Sequence, residues 1–352
     1  MSKLLPMPPF FDPANASNWN YDPNMEMLRS AAHEWRKVHG LSDAVTSDER
    51  VLVVDIDSLR DFCHPQGALF VGGRSGTGAI EDSVRTATFI YRELAHIDSI
   101  MRIFDTHEFF HIHTPSFWQY ADGTPISANT VIPLEFIAGG QVEVVPAMAN
   151  LMGWDNASWL NAYVIHYAMK LEREGKKTLI AWAPHAIIGT SGHAQMGTIL
   201  EATAFHAYAR RADNRSEIKG GEFLSECFSA LGPEVCMTQD GMILDDGKRR
   251  TRLVEEMLDY DAVIFVGQAA SHCVMSTIDD VITYLRTNNL MDLAKKFYVA
   301  RDGMSAVCLS AFGGPDFTDV AEEAFDRYQR AGMNVVLLAD PMETWPGIRL
   351  AT

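Results

Sequence analysis

Long apolar runs are missing from this 352-residue chain. No window approaches the run of roughly 18 apolar residues that a membrane-spanning helix needs. The opening stretch, MSKLLPMPPFFDPANASN, has one Lys and an apolar segment broken by prolines. It lacks the uninterrupted apolar region of a secretory leader and reads as a mature arm. Basic blocks are also missing: 29 Lys and Arg stand against 46 Asp and Glu, a net charge of −17. Such a field repels phosphate backbones and anionic lipid, so neither nucleic acid nor membrane is an expected partner. Cysteine is scarce, with five widely spaced residues (Cys63, Cys227, Cys236, Cys273, Cys308) and no CxxC pair. An odd number at that spacing argues against a disulfide framework or a zinc knuckle, and free thiols fit a reducing cytoplasm. There is no internal repeat and no low-complexity tract.

What is present is an ordinary globular composition, 47% apolar and 21% charged, enough for a sizeable core. From residue 51 onward, short β-branched runs alternate with amphipathic stretches. VLVV (51–54), MRIF (101–104), TLIA (178–181), AVIFV (262–266), FYVA (297–300) and NVVLL (334–338) read as buried strands. Ile80, Val84, Ala87, Tyr91, Leu94 and Ile97 recur at steps of three and four, one face of a helix. Further helices are expected over residues 24–38, 157–174 and 319–331 and from Cys273 onward. Continuous apolar strands separated by helices predict an α/β fold, a three-layer α/β/α arrangement around a mostly parallel sheet of about six strands. The expected organisation is an N-terminal arm and helix (1–48), a main domain (49–340) interrupted by an insertion (119–177), and a C-terminal tail (341–352). The arm and the insertion point to a homo-oligomer.

In open parallel sheets the ligand crevice lies beyond the carboxyl ends of the strands. Asp55, Asp105, Trp182 with His185, and Cys273 each follow a strand. A thiol at a helix N-terminus meets unpaired backbone N–H groups and the positive end of the helix dipole, which favour the thiolate. The small loop before it (Gln268, Ala269, Ala270, Ser271) lets backbone amides converge as an oxyanion site. His272 is adjacent in sequence, but neighbours on a helix point about 100° apart, so it is not assigned as the base. Asp55, at a crowded strand end, is the expected base, with Asp57 and Asp61 as alternatives. Lys219 is the cation expected to support the thiolate. Asp105, His107 and His111 or His113 have metal-site spacing, and His185 completes the set. Such His/Asp ligands suit zinc first, with iron(II) or manganese as alternatives.

Taken together these residues resemble the nicotinamidase and pyrazinamidase branch of the isochorismatase-like cysteine hydrolases. The likeness runs through Asp55, Asp61 and Phe62; through Asp105, His107, His111, Ser116 and Phe117; through Trp182 to His185; through Lys219; and through Gly267 to Val274. It covers roughly residues 50–118 and 178–340. It implies a Cys273–Asp55–Lys219 triad, a cis peptide at Gln268–Ala269, and oxyanion donors from the Ala269 and Cys273 amides. It also implies a divalent metal that binds a pyridine nitrogen, with Phe62 and Trp182 packed against the ring. The chain departs from the family in DIDSLRDF, two residues longer than usual, in Ala186 where a cysteine is common, and in the 119–177 insertion. The resemblance implies an amidohydrolase that cleaves a small carboxamide such as nicotinamide to acid and ammonia through a thioester. The alternatives are another small C–N substrate (maleamate, a ureide or an N-carbamoyl compound) or an inactive scaffold.

Overall fold

Strands buried on both faces form the centre of the molecule, seen in a computed structural model that describes residues 4–151, 156–244, 250–310 and 314–350. In chain order the strands are β1 (Val51–Ile56), β2 (Ser99–Asp105), β3 (Trp118–Tyr120), β4 (Thr130–Val131), β5 (Val142–Val144), β6 (Ile180–Ala181), β7 (Ser216–Lys219), β8 (Ala262–Gly267), β9 (Phe297–Ala300) and β10 (Asn334–Val336). Six of them make one sheet in the order β10-β9-β8-β1-β2-β7, and every pairing in it is parallel. The expected α/β class and the count of six strands both hold.

One expected member differs. TLIA shrinks to β6, which pairs antiparallel with β4 outside the main sheet. The sixth place goes to β7, an edge strand of sequence SEIK with Ser216 and Ile218 exposed. An edge strand open to solvent needs no continuous apolar run, so this one carries little signal.

The helices are α1 (Met25–His39), α2 (Arg60–Cys63), α3 (Gly78–Arg92), α4 (Leu134–Ala138), α5 (Met148–Leu151), α6 (Ala157–Arg173), α7 (Gly197–Arg210), α8 (Thr251–Leu258), α9 (Cys273–Thr287) and α10 (Thr318–Arg330). Val51 and Val53 of β1 pack with α1, α3 and α7 through Leu28, Ile90 and Phe205. The alternate residues Leu52, Val54 and Ile56 pack with α8, α9 and α10 through Val254, Ile278 and Phe325. Helices therefore cover both faces of the sheet. By the two-residue period of a strand, Asp55 falls on the α3/α7 side and α9 on the other. That parity governs the site described below.

The stretch 119–177 contributes β5 and α6 to a separate apolar cluster that includes Trp118, Val142, Leu160, Tyr163 and Tyr167. The N-terminal arm lies against α3 and α7, where Phe10 packs on Tyr91 and Phe205 with ring centroids 6.2 and 5.2 Å apart. Among the described residues no helix is long and apolar enough to cross a membrane.

Gly267 closes β8 at φ 116°, and a Cβ there would stand 2.0 Å from the Ile56 carbonyl oxygen. Only glycine lets the loop that leads to Cys273 leave the sheet so close to β1. Gly267→Ala is expected to lower unfolding stability by at least about 2 kcal/mol, from strain and steric displacement together. Equilibrium urea denaturation checks this.

Candidate active site

Cys273 is the first residue of α9, and its buried thiol faces the carboxyl end of the sheet. The Lys219 ammonium lies 3.6 Å from its sulfur. The Asp57 carboxylate is the thiol's acidic neighbour and acts on it electrostatically, but neither of its buried oxygens makes a hydrogen bond among the described residues. Lys219 Nζ also lies 3.0 Å from Asp57 Oδ2, 2.8 Å from Asp105 Oδ1 and 2.9 Å from the Cys227 carbonyl. One buried cation thus touches the thiol and two carboxylates. The register of β2 and β7 makes this possible, because Asp105 and Lys219 are direct partners across the pair.

Asp55 stands elsewhere. Its carboxylate accepts from Ser58 Oγ and, at 2.8 Å, from Gln195 Nε2, on the α3/α7 side of the sheet. Burial pushes its pKa up to about 6, against those two hydrogen bonds. The expectation that Asp55 partners Cys273 therefore fails on strand parity, and Asp57 occupies that position. Asp57 escapes the parity because it lies past the end of β1 with φ 52°, which turns its side chain out of the strand's alternation. Asp61, the other alternative, accepts from the Ala68 and Ala186 amides at 2.9 and 2.8 Å and organises loops.

The electrostatics follow from burial and these contacts. Burial pushes the Asp57 carboxyl above the usual carboxylate range; Lys219 opposes the shift and Asp105 adds to it. Burial also raises the Cys273 thiol, while Lys219 pulls it back. For Lys219, burial disfavours the charge, but Asp105 and Asp57 together outweigh it and hold the ammonium well above the usual lysine value. With two carboxylates against one ammonium and a thiol, Asp57 and Cys273 titrate as an interacting pair.

The loop before Cys273 supplies two more features. The Gln268–Ala269 peptide is cis. Among the described residues, no acceptor meets the backbone N–H of Ala269 or of Cys273. Gln268 ties the loop down, donating to Asp82 at 2.9 Å and accepting from the Ser305 amide at 3.2 Å. His272 is buried, its Nδ1 lies 2.9 Å from Ser271 Oγ, and its ring meets Trp182, Phe228 and Phe317. Burial, then Lys177, keeps it well below the usual histidine pKa, so it serves as a neutral aromatic wall.

Beside the thiol lie four histidines. His107 Nε2 is 2.9 Å, and His185 Nε2 3.7 Å, from Asp105 Oδ2. The other ring nitrogens are held by carbonyls, His107 Nδ1 by Gly220 at 3.0 Å and His185 Nδ1 by Ala183 at 2.7 Å. Outer nitrogens fixed on carbonyls with the inner ones converging on a carboxylate is how metal-ligating histidines are oriented. Asp105, His107 and His185 thus form one group with the spacing of a metal site, and His107, His111 and His113 form a second that shares His107.

The structure does not bring His111 into the group with Asp105 and His185. His111 accepts from the Glu108 amide at 3.2 Å and packs on Phe223. His113 is buried with neither ring nitrogen hydrogen-bonded, and Glu226 Oε2 is 3.7 Å away. A fully buried imidazole without a partner is costly. The imidazole and carboxylate donors of Asp105, His107 and His185 fit a divalent transition metal.

A cavity of about 30 Å³ opens on Cys273, walled by Phe62, Trp182, Phe228, Val307, His185 and Glu226. The sequence-predicted Phe62 and Trp182 are both at this wall. Glu226, Phe228 and Gln195 were not foreseen; Glu226 and Phe228 follow an edge strand with no apolar signature, and Gln195 lies in a loop. A second cleft of about 660 Å³, between Phe109, Phe110, Phe223, Met242 and Ile243, includes no residue of this cluster.

No family model matches the chain, and no curated protein matches it. Similar solved structures are a nicotinamidase and pyrazinamidase of Acinetobacter baumanii (18% identity over 83% of this chain and 98% of that one, TM-score 0.44) and the yeast nicotinamidase bound to the inhibitor nicotinaldehyde (16%, 82% and 100%, TM-score 0.46). The pyrazinamidase of Pyrococcus horikoshii in complex with zinc is a third (15%, 82% and 99%, TM-score 0.38).

Removing the shared cation would leave Asp57 and Asp105 buried side by side. Lys219→Met is expected to cost about 3–5 kcal/mol of stability at neutral pH. Since the uncompensated charge is carboxylate, the loss should shrink as pH falls and protonates it, which denaturation at pH 7 and pH 5 would reveal.

Proposed function

We propose that the chain is a cysteine amidohydrolase that converts a small carboxamide to its acid and ammonia. The observation that carries this reading is a single buried constellation: Cys273 at the start of α9, Lys219 at 3.6 Å from its sulfur and 3.0 Å from Asp57 Oδ2, and two backbone N–H groups without acceptors among the described residues. Nucleophile, base, cation and oxyanion donors are the parts that acyl transfer requires.

In this reading Asp57 takes the Cys273 proton as the sulfur attacks the amide carbon. The Ala269 and Cys273 amides receive the negative oxygen. Asp57 returns the proton to the departing nitrogen, so ammonia leaves and a thioester remains. A water then gives a proton to Asp57 and attacks the thioester; the acid leaves and the thiol is restored. Lys219 stays protonated throughout and offsets the charge that moves between Asp57 and Cys273. Asp105, His107 and His185 would hold a divalent ion, zinc first, whose Lewis acidity polarises a bound substrate atom or water. The base in this reading is Asp57 in place of the Asp55 expected from the sequence.

Phe62 and Trp182 support an aromatic amide such as nicotinamide. A volume of about 30 Å³ favours smaller amides instead, since it holds only one or two waters unless the walls move. A place in the cytoplasm and a homo-oligomeric state belong to the same proposal.

Ammonia release from nicotinamide, pyrazinamide, maleamate and N-carbamoyl compounds tests the reading. Turnover of at least one is expected, abolished in Cys273→Ala and lowered by prior chelation. Asp57→Asn should reduce kcat by about 10²–10⁴-fold, the usual contribution of a general base, whereas Asp55→Asn should not. Equal loss in both variants would remove Asp57 from its role. Because the active form needs Asp57 ionised and its pKa is raised, kcat/KM should fall on acidification along a limb well above the ordinary aspartate value of about 3.9. A pH–rate profile measures that limb.

A further inference from the structure

The insertion ends on two adjacent lysines whose fates differ. Lys176 pairs with Glu234 at 3.0 Å. Lys177 has no ion pair and no hydrogen bond among the described residues. Its ammonium stands 5.4 Å from the centroid of the Phe228 ring. Phe228 walls the Cys273 cavity and meets His272, the residue before the nucleophile, at 5.3 Å between ring centroids.

The acids in the electrostatic neighbourhood of Lys177 are already engaged. Glu234 holds Lys176, and Asp279 holds Arg327 at 2.8 Å. Lys177 is also partly buried, and burial lowers its pKa below the usual lysine value, with Glu234 and Cys273 opposing. A half-buried cation without a counter-ion is unfavourable and gains from an incoming anion. Overall charge points the same way, because a chain of net charge −17 repels anions unless a local cation is reserved for them. The cluster at Lys219 cannot fill that role, as its ammonium is fully committed to Asp57, Asp105 and Cys273.

We propose that Lys177 is a specificity-determining residue that selects small amides carrying a carboxylate, held beside Phe228 while the carboxamide end reaches Cys273. This rests on the amidohydrolase reading above and narrows its substrate class. Aliphatic half-amides of dicarboxylic acids have this charge.

The test compares kcat/KM for a carboxylate-bearing amide (maleamate or succinamate) and a neutral one (nicotinamide or propionamide). It uses the full-length protein, Lys177→Met, which keeps an apolar stem over Phe228, and Lys177→Arg, which keeps the charge. The ratio of anionic to neutral substrate should favour the anion in the wild type. It should fall about tenfold or more in Lys177→Met, as for a lost hydrogen bond to a charged group, and recover in Lys177→Arg. An unchanged ratio, or equal loss for both substrates, overturns the proposal.

A second measurement stands apart from turnover. Calorimetric binding of succinamate and of propionamide to Cys273→Ala, with and without Lys177→Met, should show a salt-sensitive loss confined to the anion. If no amide is hydrolysed, the amidohydrolase reading fails, and this measurement alone decides whether Lys177 binds a carboxylate. Equal binding of succinamate with and without Lys177→Met counts against it.

Discussion

The Lys219 ammonium is the interaction on which the rest of the site depends. It is buried, and two carboxylates, the Cys227 carbonyl and the thiol sulfur make that burial tolerable. Charge buried without partners is among the costliest features a fold can carry. The ammonium therefore constrains three separate strand ends at once: Asp57 after β1, Asp105 at the end of β2 and Cys273 after β8. Its own position is set by an edge-strand register that makes it the direct neighbour of Asp105. Moving any one of these ends would leave a charge exposed to apolar surroundings, so the geometry of the chemistry and the stability of the crevice are the same constraint.

The surrounding structure holds that cluster in place with backbone contacts rather than bulk. Gly267 lets β8 end against the Ile56 carbonyl, and Gln268 pins the following loop to Asp82 and Ser305. Gly220 does the equivalent for the metal-like group: at φ 89°, a Cβ there would stand 2.6 Å from Asp105 Oδ1 and 2.9 Å from the His107 ring. Its carbonyl meanwhile orients His107. Two glycines thus permit the close approach of Cys273 to β1 and of Lys219 to the histidines. Preorganisation of this kind gives fixed donors and acceptors most of their value in a water-poor site.

Much of this was legible in the sequence, and the exceptions have physical causes. The buried strands of β1, β8 and β9 announce themselves as apolar runs, and α3 as an apolar stripe, because each presents that surface to a core. Helix α7 went unread because it is buried on most sides, so its apolar residues make no stripe. The edge strand β7 has no buried face on its open side. Reactive residue types that follow strands drew attention to Cys273, Asp105, His107 and His185, whereas Lys219 stands in an edge strand that the apolar pattern did not reveal. The choice between Asp55 and Asp57 was not, because it turns on a single positive φ after β1 that breaks the two-residue period. The choice between His111 and His113 was equally hidden, since both are buried within one short loop and differ only in what their nitrogens meet. Glu226, Phe228 and Lys177 reach the site from segments with no local signal; only tertiary contacts assemble them.

The central claim is that Cys273 shares its proton with Asp57 beside a permanently charged Lys219. The most direct measurement is the rate at which iodoacetamide alkylates Cys273, followed by peptide mass spectrometry across pH in the wild type, Asp57→Asn and Asp55→Asn. Shared titration predicts a wild-type profile with a limb in the raised-carboxylate range. In Asp57→Asn that limb should disappear, leaving only a thiol titration at or above the free-cysteine value of about 8.5. Asp55→Asn should keep the wild-type limb. A profile that loses the limb with Asp55 and keeps it without Asp57 would contradict the account at its foundation.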